Sequence, residues 1–329
     1  MADSGIPTTI LVAPDSFKGT LTSVEVARAI GSGLRAGGRE VDLCPVADGG
    51  EGTLTALLPA LELELRRVRA SDPLGRRIES SFGLGGEVAV VEAAAASGLG
   101  LVAEDERDAI RASTYGTGEL VAAAISAGAR TVYLGVGGSA TTDGGAGAVR
   151  AIRERGGLRD TRLVVLCDVR TPFEEAARLF ARQKGADDQQ VALLTERLHA
   201  LARALERDPR GVAMTGAAGG LSGGLWAALG AELTGGAAFV LEAVQFDRRM
   251  RVARAVVTGE GKLDLQSLAG KLVSEIATRA RQSGVPCHAI VGTRELDSFG
   301  ARILDLQAVL EASTTTQIEA AARRLAELV

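Results

Sequence analysis

Apolar residues fall in short runs separated by amphipathic segments, a pattern that predicts alternating strands and helices. The run TTILVA at 8–13 is apolar and β-branched, which indicates a buried strand. In the next segment, TSVEVARAIGSGLRAG, apolar residues recur with helical spacing, and Thr22 and Glu25 stand at capping-box positions. EVDLCPV at 40–46 is a second apolar run. The N-terminal part is therefore predicted to form a strand–helix–strand unit of a parallel sheet covered by helices.

The C-terminal part repeats this order. Residues 253–292 again have the pattern of a strand, a loop, a helix and a strand. The chain closes with a predicted strand, LQAVLEA, and a helix that we expect to be capped at Thr316, with Glu319 completing the capping box. Because the two ends have the same organisation, we expect them to contribute strands to one sheet.

The middle of the chain has a different pattern. From LELELRR to EVAVVEA, apolar and polar residues alternate, and SDPLG and GLGG interrupt the alternation as turns. Alternation with short turns is typical of antiparallel strands. The prediction is an α/β fold with a Rossmann-like parallel-sheet domain built from both chain ends, and an inserted second α/β domain containing antiparallel strands. The expected limits are 1–67 plus 250–329 for the first domain and 68–249 for the inserted one.

Composition narrows the classes of function. The net charge is −4 and aromatic residues make up 3%, which disfavours nucleic-acid binding. No apolar run is long enough to span a membrane, and the N-terminal residues lack the pattern of a signal peptide.

The three cysteines, Cys44, Cys167 and Cys287, lie in separate apolar runs, so we expect core thiols in a reducing cytoplasm. With only two histidines, carboxylates, lysines, hydroxyls and backbone amides are expected to carry any reaction.

Four predicted loops share one design, in which a strand ends, glycines accompany acids or hydroxyls, and a helix begins. They are APDSFKGTLTS (13–23), VADGGEGT (46–53), GVGGSATTDGGAG (135–147) and TGEGKLDLQS (258–267). In open α/β sheets, ligands bind beyond the carboxyl ends of the strands, where helix N-termini offer N–H groups that suit phosphate. One such loop is usually only a turn, but four of them favour a shared site for an anionic ligand.

These loops contain the residue types that phosphoryl transfer needs. The reaction uses a carboxylate near the attacking hydroxyl group, acids that hold a metal, and cations or amides around the phosphoryl group. The acids and cations available are Asp15, Asp48, Glu51, Asp143, Glu260 and Asp264, and Lys18 and Lys262. For each acid the alternative is a helix cap or a turn partner, and this alternative is strongest for Asp143 and Asp264.

Taken together, the loops and the segments between them resemble the type II glycerate kinase family of bacteria. The resemblance follows the chain in order and covers nearly all of it. The matching segments are APDSFK (13–18), PVADGGEGT (45–53), DPLGR (72–76), AAASGL (94–99), STYGTGE (113–119), GVGGSATTDGGAG (135–147), CDV (167–169), QKGA (183–186), GAAGGLSGG (216–224) and TGEGKLD (258–264).

The resemblance implies phosphorylation of D-glycerate that depends on ATP and Mg²⁺, with both ligands in a cleft between the two domains. In this chain the expected catalytic residues are Asp15, Lys18 and Asp48. Contacts to the nucleotide are expected from Gly137, Gly138, Ser139, Thr141, Asp143, Gly259 and Lys262. The expected metal-holding residues are Glu51, Glu260 and Asp264. Which acid is the base, which hydroxyl of glycerate is phosphorylated, and whether the chain forms a homodimer stay open.

Two departures from the family pattern keep other functions in view. The connector between GAGAVRA and RLVVLCDV is short, and RTPFEEAARLF follows CDV where relatives have an Asn-Pro-Leu and Gly-Pro loop. The alternatives are a kinase for another small hydroxy acid and a non-catalytic homologue that binds a phosphate ligand. A nicotinamide oxidoreductase is less favoured, because Gly135–Ala140 is not followed, at about twenty residues, by a clear second strand that ends in an acid.

Overall fold

The computed structural model describes residues 8–265, 267–269 and 272–329. Gln266, in the predicted loop 258–267, therefore lies outside the described residues. The chain forms two compact units: the first comprises the residues up to Asp48 and from Ala237 onward, and the second comprises Gly49–Gly236. Where the functional domains begin and end, expected at 68 and 250, stays a prediction.

The elements are numbered in chain order. The strands are β1 (Thr9–Pro14), β2 (Glu40–Leu43), β3 (Glu64–Ser71), β4 (Arg77–Gly85), β5 (Val88–Glu92), β6 (Thr131–Gly135), β7 (Arg162–Leu166), β8 (Glu232–Thr234), β9 (Ala255–Gly259), β10 (Lys262–Leu263), β11 (Cys287–Val291), β12 (Thr293–Arg294) and β13 (Leu306–Glu311).

The helices are α1 (Ser23–Ala36), α2 (Thr53–Ala60), α3 (Ala94–Ser97), α4 (Tyr115–Ser126), α5 (Ala146–Glu154), α6 (Ala176–Phe180), α7 (Asp188–Ala204), α8 (Ala217–Leu229), α9 (Gly236–Ala243), α10 (Phe246–Met250), α11 (Leu272–Gln282), α12 (Ser298–Ile303) and α13 (Thr315–Leu325). Short 3₁₀ turns occur at Leu99–Leu101, Glu104–Glu106, Phe173–Glu175, Arg182–Lys184 and Ser267–Ala269.

The first unit contains a parallel sheet with the strand order β13-β11-β9-β1-β2. Strands from both ends of the chain meet at the β1–β9 pair, which confirms that the two ends share one sheet. Residues 10–13 of β1 are fully buried, because this strand lies inside the sheet and its apolar side chains are covered on both faces. A small β10–β12 pair accompanies the main sheet.

Helix α1 packs on this sheet. It begins at Thr22, whose side chain accepts a hydrogen bond from the backbone of Glu25, so the predicted capping box is present. Val26, Ile30 and Leu34 are buried along one face, as the apolar spacing predicts. A β-carbon on Gly33 would lie 2.2 Å from the carbonyl oxygen of Glu319, so a glycine is required where α1 meets α13.

The predicted start of α13 is wrong by two residues. The N-cap is Thr314 and its capping-box partner is Gln317, whereas Thr316 and Glu319 were expected. Consecutive threonines offer the same capping spacing more than once. The earlier start is consistent with the burial of Ile318 in the first unit's core, a tertiary constraint that the capping pattern does not contain.

The second unit is built on a mixed sheet with the order β3-β4-β5-β6-β7-β8. β3, β4 and β5 pair antiparallel, and β5 to β8 pair parallel, which confirms the predicted antiparallel strands. Helices α4, α5 and α8 contribute Leu120, Ile152 and Leu225 to the core beside this sheet. A smaller apolar cluster joins Phe173 to α6 and α7.

Two further observations complete the fold. Over the described ranges, no helix combines the length and the apolar character needed to cross a bilayer. Cys44, Cys167 and Cys287 are buried and are not joined in disulfides. Burial raises the pKa of these thiols to about 11 for Cys44 and about 12 for the other two, so they remain protonated near neutral pH.

Candidate active site

The first unit has an acidic cavity beyond the carboxyl ends of its central strands. Asp15 directly follows β1 and Glu260 directly follows the neighbouring parallel strand β9, so both carboxylates lie at the same edge of the sheet. Asp48 lies in the loop between β2 and α2. The cavity has a volume of about 310 Å³, and Lys18 and Lys262 also line it.

Asp15 is the most deeply buried acid of this cavity, with 5% of its surface exposed. The backbone N–H of Ser16 donates a hydrogen bond to its Oδ1 at 2.7 Å. Burial, reinforced by the negative charge of Asp48, raises the pKa of Asp15 well above its usual value, although Lys18 acts in the opposite direction. A carboxylate with a raised pKa in a cavity has the properties of a general base.

Lys18 and Asp48 form an ion pair. The Nζ of Lys18 donates to Asp48 Oδ2 at 2.9 Å, and the two side chains are 59% and 16% exposed. The negative charge of Asp48, and secondarily that of Asp15, raises the pKa of Lys18, so this cation stays protonated. A solvent-accessible ammonium group is thereby held beside the buried acid.

The loop after β9 holds the remaining predicted residues of the first unit. Glu260 is 8% exposed and accepts a hydrogen bond from the hydroxyl group of Ser267 at 2.6 Å, and that hydroxyl also accepts from the backbone N–H of Asp264. Lys262 is exposed and pairs with Glu295 at 2.8 Å. Gly259 packs under β11, since a β-carbon there would lie 2.3 Å from the carbonyl oxygen of Ile290.

A larger, open groove of about 1020 Å³ runs along α13 in the same unit and shares Gly292 and Ser313 with the acidic cavity. Its acids and arginines are exposed, and they lie on α13 and on the segments that flank it. Exposed charges in this arrangement are typical of a solvated surface. The smaller cavity, which contains the buried carboxylates, is therefore the better candidate for chemistry.

The loop between β6 and α5 carries the other set of predicted residues and belongs to the second unit. A β-carbon on Gly137 would lie 2.6 Å from the Cα of Gly50, so this glycine allows two backbones to approach. Gly138 has a φ of +70°, a left-handed conformation, and a β-carbon there would meet nothing closer than 3.7 Å. Gly138 is thus required for conformation, while the space beside it is open.

The backbone of this loop contains N–H groups that have no acceptor in the described part of the chain. Among the described residues, no atom accepts a hydrogen bond from the N–H groups of Gly137, Gly138 or Ser139, although their neighbour Ala140 donates to Ser97. Gly138 is exposed and Gly137 is half-buried. Consecutive free N–H groups around a left-handed glycine are the arrangement that binds anions.

Lys184 packs against the same loop and was not among the predicted site residues. Its side chain is buried, and its Nζ donates hydrogen bonds to Ser139 Oγ at 3.0 Å and to the carbonyl oxygen of Thr141 at 2.5 Å. Burial lowers the pKa of Lys184 to about 7, with Asp143 opposing the shift. The family-like segment QKGA was the sequence signal, but a lysine in a polar stretch gives no indication that it will be buried.

Asp143 stabilises the turn that precedes α5. Its carboxylate accepts hydrogen bonds from the backbone and the hydroxyl of Thr114 and from the N–H groups of Gly145 and Gly147, at 2.8 to 3.1 Å. These contacts are those of a helix-capping residue. Ser139, by contrast, is held by Lys184, and Thr141 is fully buried.

The segment 216–224 contains a second glycine cluster, and its backbone conformation explains why glycine is needed there. Ala218, Gly219 and Gly220 all have positive φ, and the regular part of α8 begins after them. A β-carbon on Gly219 would lie 2.0 Å from the carbonyl oxygen of Thr141, and the N–H of Gly144 donates to the carbonyl oxygen of Gly219 at 3.0 Å. This passage therefore supports loop 135–147 from behind.

Glu51 is the predicted metal-holding acid of the second unit. It is exposed, and its Oε2 lies 3.8 Å from the position that a β-carbon on Gly138 would occupy. Nearby, Glu92 accepts hydrogen bonds from the backbone at Leu54 and Gly52 and so caps α2, whose own N-cap residue is a glycine. Burial raises the pKa of Glu92 to about 7. The sequence did not indicate this long-range cap.

The structure brings Asp15, Lys18, Asp48, Glu260 and Lys262 together around the first unit's cavity. Gly137, Gly138, Ser139 and Glu51 lie near one another in the second unit. Across the described ranges, no three His, Cys, Asp or Glu side chains are grouped closely enough to form a metal site by themselves. Mg²⁺ usually binds only one or two carboxylates, with phosphate oxygens and waters completing its coordination.

Comparison with known proteins gives a consistent result. The model of the glycerate kinase family matches residues 10–156 and 153–329. The two matches overlap at 153–156, within the short connector noted in the sequence. The chain is 38% identical to a glycerate kinase from Halalkalibacterium halodurans, and the alignment covers 87% of this chain and 85% of that protein.

Two further proteins are also similar. Identity to the glycerate 2-kinase of Escherichia coli is 36%, over 86% of this chain and 85% of that protein. The crystal structure of a putative glycerate kinase 2 from Salmonella typhimurium has a TM-score of 0.79 to this chain, with 32% identity and 98% coverage of both chains.

Proposed function

We propose that this chain, which belongs to the glycerate kinase family, transfers the terminal phosphoryl group of ATP to a hydroxyl group of D-glycerate. The main structural support for phosphoryl transfer is the cavity of the first unit. There the buried carboxylate of Asp15, whose pKa is raised, lies beside Lys18, which stays charged. The similarity to glycerate kinases supports glycerate as the substrate.

In this proposal Asp15 accepts the proton of the attacking hydroxyl group. Its raised pKa makes it a better proton acceptor than an ordinary aspartate. Lys18 neutralises negative charge on the carboxylate of glycerate or on the phosphoryl group in transit. Asp48 holds Lys18 in place through the ion pair, which fixes the direction of the ammonium group.

The second unit binds the phosphates of the nucleotide in this proposal. The N–H groups of Gly137, Gly138 and Ser139 are free to donate to phosphate oxygens, and Gly138 leaves space for the ligand. Thr141 and Asp143 stay predictions as nucleotide contacts, since Asp143 accepts helix-capping hydrogen bonds and the buried hydroxyl of Thr141 has no partner among the described residues. Gly259 and Lys262 stay predictions as nucleotide contacts.

Mg²⁺ fits the donor set of the second unit. Glu51 is an exposed carboxylate beside free backbone N–H groups, the combination in which one carboxylate and phosphate oxygens hold the ion together. We therefore assign Glu51 to metal holding, whereas Glu260 and Asp264 remain candidates around Ser267. When bound, Mg²⁺ would supply positive charge that neutralises the phosphate oxygens.

A coupled assay of ADP release tests the function. The purified chain is supplied with Mg-ATP and with D-glycerate, L-glycerate or other short hydroxy acids, and the product is identified by ³¹P NMR. We expect D-glycerate to have the highest kcat/KM, and phosphorylation at the 2-hydroxyl group, as the name of the Escherichia coli relative suggests. A different hydroxy acid with higher kcat/KM would establish the alternative substrate, and no ADP release with any acid would refute the kinase proposal.

The segment 170–173 is where a change of substrate was considered from sequence. Phe173 is fully buried and joins the cluster of α6 and α7, and β-carbons on Gly220 and Gly223 would lie within 2.7 Å of its ring. This part of the departing segment therefore has a packing role. Whether the substrate has changed is therefore decided by the assay with several hydroxy acids, and not by the sequence of this segment.

A further inference from the structure

We propose that Lys184 is a positioning residue that holds loop 137–142 as an oxyanion site and adds a positive charge behind it. The inference rests on the proposed function, because the oxyanion is either a phosphate group of the nucleotide or the carboxylate of the hydroxy acid. Lys184 itself need not touch the ligand, since it acts through Ser139.

The first argument is the cost of burying this lysine. Only 2% of Lys184 is exposed, and none of the described carboxylates forms an ion pair with it. Its hydrogen-bond partners, Ser139 Oγ and the carbonyl oxygen of Thr141, are neutral. A buried ammonium group without a carboxylate partner is unfavourable, and a bound anion nearby would reduce this cost.

The second argument comes from the loop that Lys184 contacts. The hydroxyl oxygens of Thr141 and Thr142 are buried and have no hydrogen-bond partner among the described residues. The N–H groups of Gly137, Gly138 and Ser139 likewise donate to no described atom. Unsatisfied polar groups concentrated in one loop are rare in stable folds and are typical of sites that a ligand completes.

Both arguments point to the same place. The hydroxyl oxygen of Ser139 accepts a hydrogen bond from the ammonium group of Lys184. The backbone N–H groups of Ser139 and Gly138 donate to no atom of the described residues. Asp143 is the charged group that affects the pKa of Lys184, and its own carboxylate is occupied by Thr114, Gly145 and Gly147. Asp143 is therefore poorly placed to neutralise a charged Lys184 by itself.

The test measures binding of Mg-ATP and of D-glycerate separately, by titration calorimetry. The variant is Lys184→Met, which keeps an unbranched side chain only one atom shorter and removes the charge and the hydrogen bonds. Ser139→Ala removes the hydroxyl group through which Lys184 acts. Thr161→Val is the matched control, because it removes another buried hydroxyl of the second unit, one that donates to Ala129.

We expect Lys184→Met to weaken one of the two ligands at least tenfold, Ser139→Ala to weaken the same ligand by a smaller factor, and Thr161→Val to change neither by more than twofold. The ligand affected identifies the oxyanion as phosphate or carboxylate. Unchanged affinities in a folded Lys184→Met protein would overturn the proposal, as would an equal loss in Thr161→Val. If Lys184→Met does not fold, Ser139→Ala decides in the same way.

A second readout separates positioning from mere structural support. An anion near Lys184 favours its protonated form, so binding of the affected ligand at pH 8 should take up a proton in the wild type, as seen by repeating the calorimetry in buffers of different ionisation enthalpy. In Lys184→Met this uptake should be lost. Uptake that is the same in both proteins would contradict the proposal. Turnover of D-glycerate by the wild type is measured independently, so failure of the proposed function is distinguishable from failure of this inference.

Discussion

Lys18 in the first unit and Lys184 in the second unit both lie at a candidate anion site, but their surroundings differ. Lys18 is largely exposed and paired with Asp48, and neighbouring acids raise its pKa. Lys184 is buried against neutral oxygens, and burial lowers its pKa to about 7. The comparison shows that one residue type serves two purposes: a fixed charge at a reactive cavity, and a buried support for a glycine loop.

The same contrast extends to the loops. In the first unit, acids crowd a cavity and raise the pKa of Asp15. In the second unit, glycines bring backbones together, and the N–H groups of residues 137–139 donate to no atom of the described residues. We infer that the first region performs proton transfer and the second binds an oxyanion, and the predictions below test this division.

The largest effect is expected for Asp15→Asn. Loss of a general base lowers turnover by about 10²–10⁴-fold, and we expect kcat for D-glycerate in the ADP-release assay to fall by that factor. In the wild type, activity should fall as the pH is lowered through the raised pKa of Asp15, because the protonated acid cannot accept a proton. Turnover within threefold of wild type would remove Asp15 from the mechanism.

The fold of Asp15→Asn should be intact. Because the pKa of Asp15 is raised in the folded state, its stabilising contribution is complete below the unfolded-state pKa and is lost as the pH rises through the folded-state value. At pH 7.5 the neutral asparagine should therefore give a thermal midpoint equal to or above that of the wild type. A much lower midpoint would mean that reduced turnover reflects unfolding.

A smaller effect is expected for Lys18→Met, with Lys262→Met as its matched control. Both lysines line the same cavity, but Lys18 pairs with Asp48 and Lys262 pairs with Glu295. Removing a group that stabilises developing charge costs about 10²–10³-fold in kcat, which we expect for Lys18→Met, against less than about tenfold for Lys262→Met on the same reasoning. Equal losses in steady-state assays would show that only the overall charge of the cavity matters.

The two glycine clusters should differ in stability. Gly219→Ala places a β-carbon 2.0 Å from the carbonyl oxygen of Thr141 at a φ of +68°, so overpacking and backbone strain add together. Each of these terms costs about 1–3 kcal/mol. Gly138→Ala has open space and only the strain of its positive φ, about 1–2 kcal/mol.

Denaturant unfolding of the two variants measures this difference. The free energy of unfolding should fall further for Gly219→Ala than for Gly138→Ala. The reverse order would contradict the assignment of 216–224 as packing and of 137–139 as an open ligand loop. The thermal shift induced by Mg-ATP, measured on Gly138→Ala, then reports on the loop's role in binding independently of its stability.

A further effect concerns the pH dependence of stability. Lys184 has a lowered pKa in the folded state, so between pH 7 and the unfolded-state value of 10.5 the unfolded chain binds more protons. Stability contributed by this residue therefore rises with pH in that window. The thermal midpoint of the wild type, relative to Lys184→Met, should rise by several degrees from pH 7 to pH 9.5 in chemically matched buffers, because integrating the difference in bound protons across that window gives about 3 kcal/mol. A constant difference would indicate an ordinary pKa.

The sequence predicted the architecture well because hydrophobic periodicity is local. The shared sheet of the two ends and the antiparallel β3–β4–β5 segment follow from patterns within single stretches. The start of α13 was mispredicted because Thr314 and Thr316 have equivalent capping patterns, and no local sequence signal selects the earlier one.

The candidate sites were less predictable, since they depend on contacts between distant segments. Asp15 and Glu260 could be placed at one sheet edge from the repeated pattern alone. The burial of Lys184 against Ser139, and the cap that Glu92 provides for α2, join residues 45 and 38 positions apart. Nor could the glycine pattern distinguish Gly137, which allows backbone contact, from Gly138, which adopts a left-handed conformation.

The division of labour between the two regions is tested most directly by the affinity of Asp15→Asn for Mg-ATP, measured by titration calorimetry at pH 7.5. The account predicts a Kd within about threefold of the wild-type value in a protein that has lost its turnover of D-glycerate, because the phosphates bind to the loop of the second unit. A Kd weakened tenfold or more, with an unchanged thermal midpoint, would place Asp15 in the nucleotide site and contradict the account.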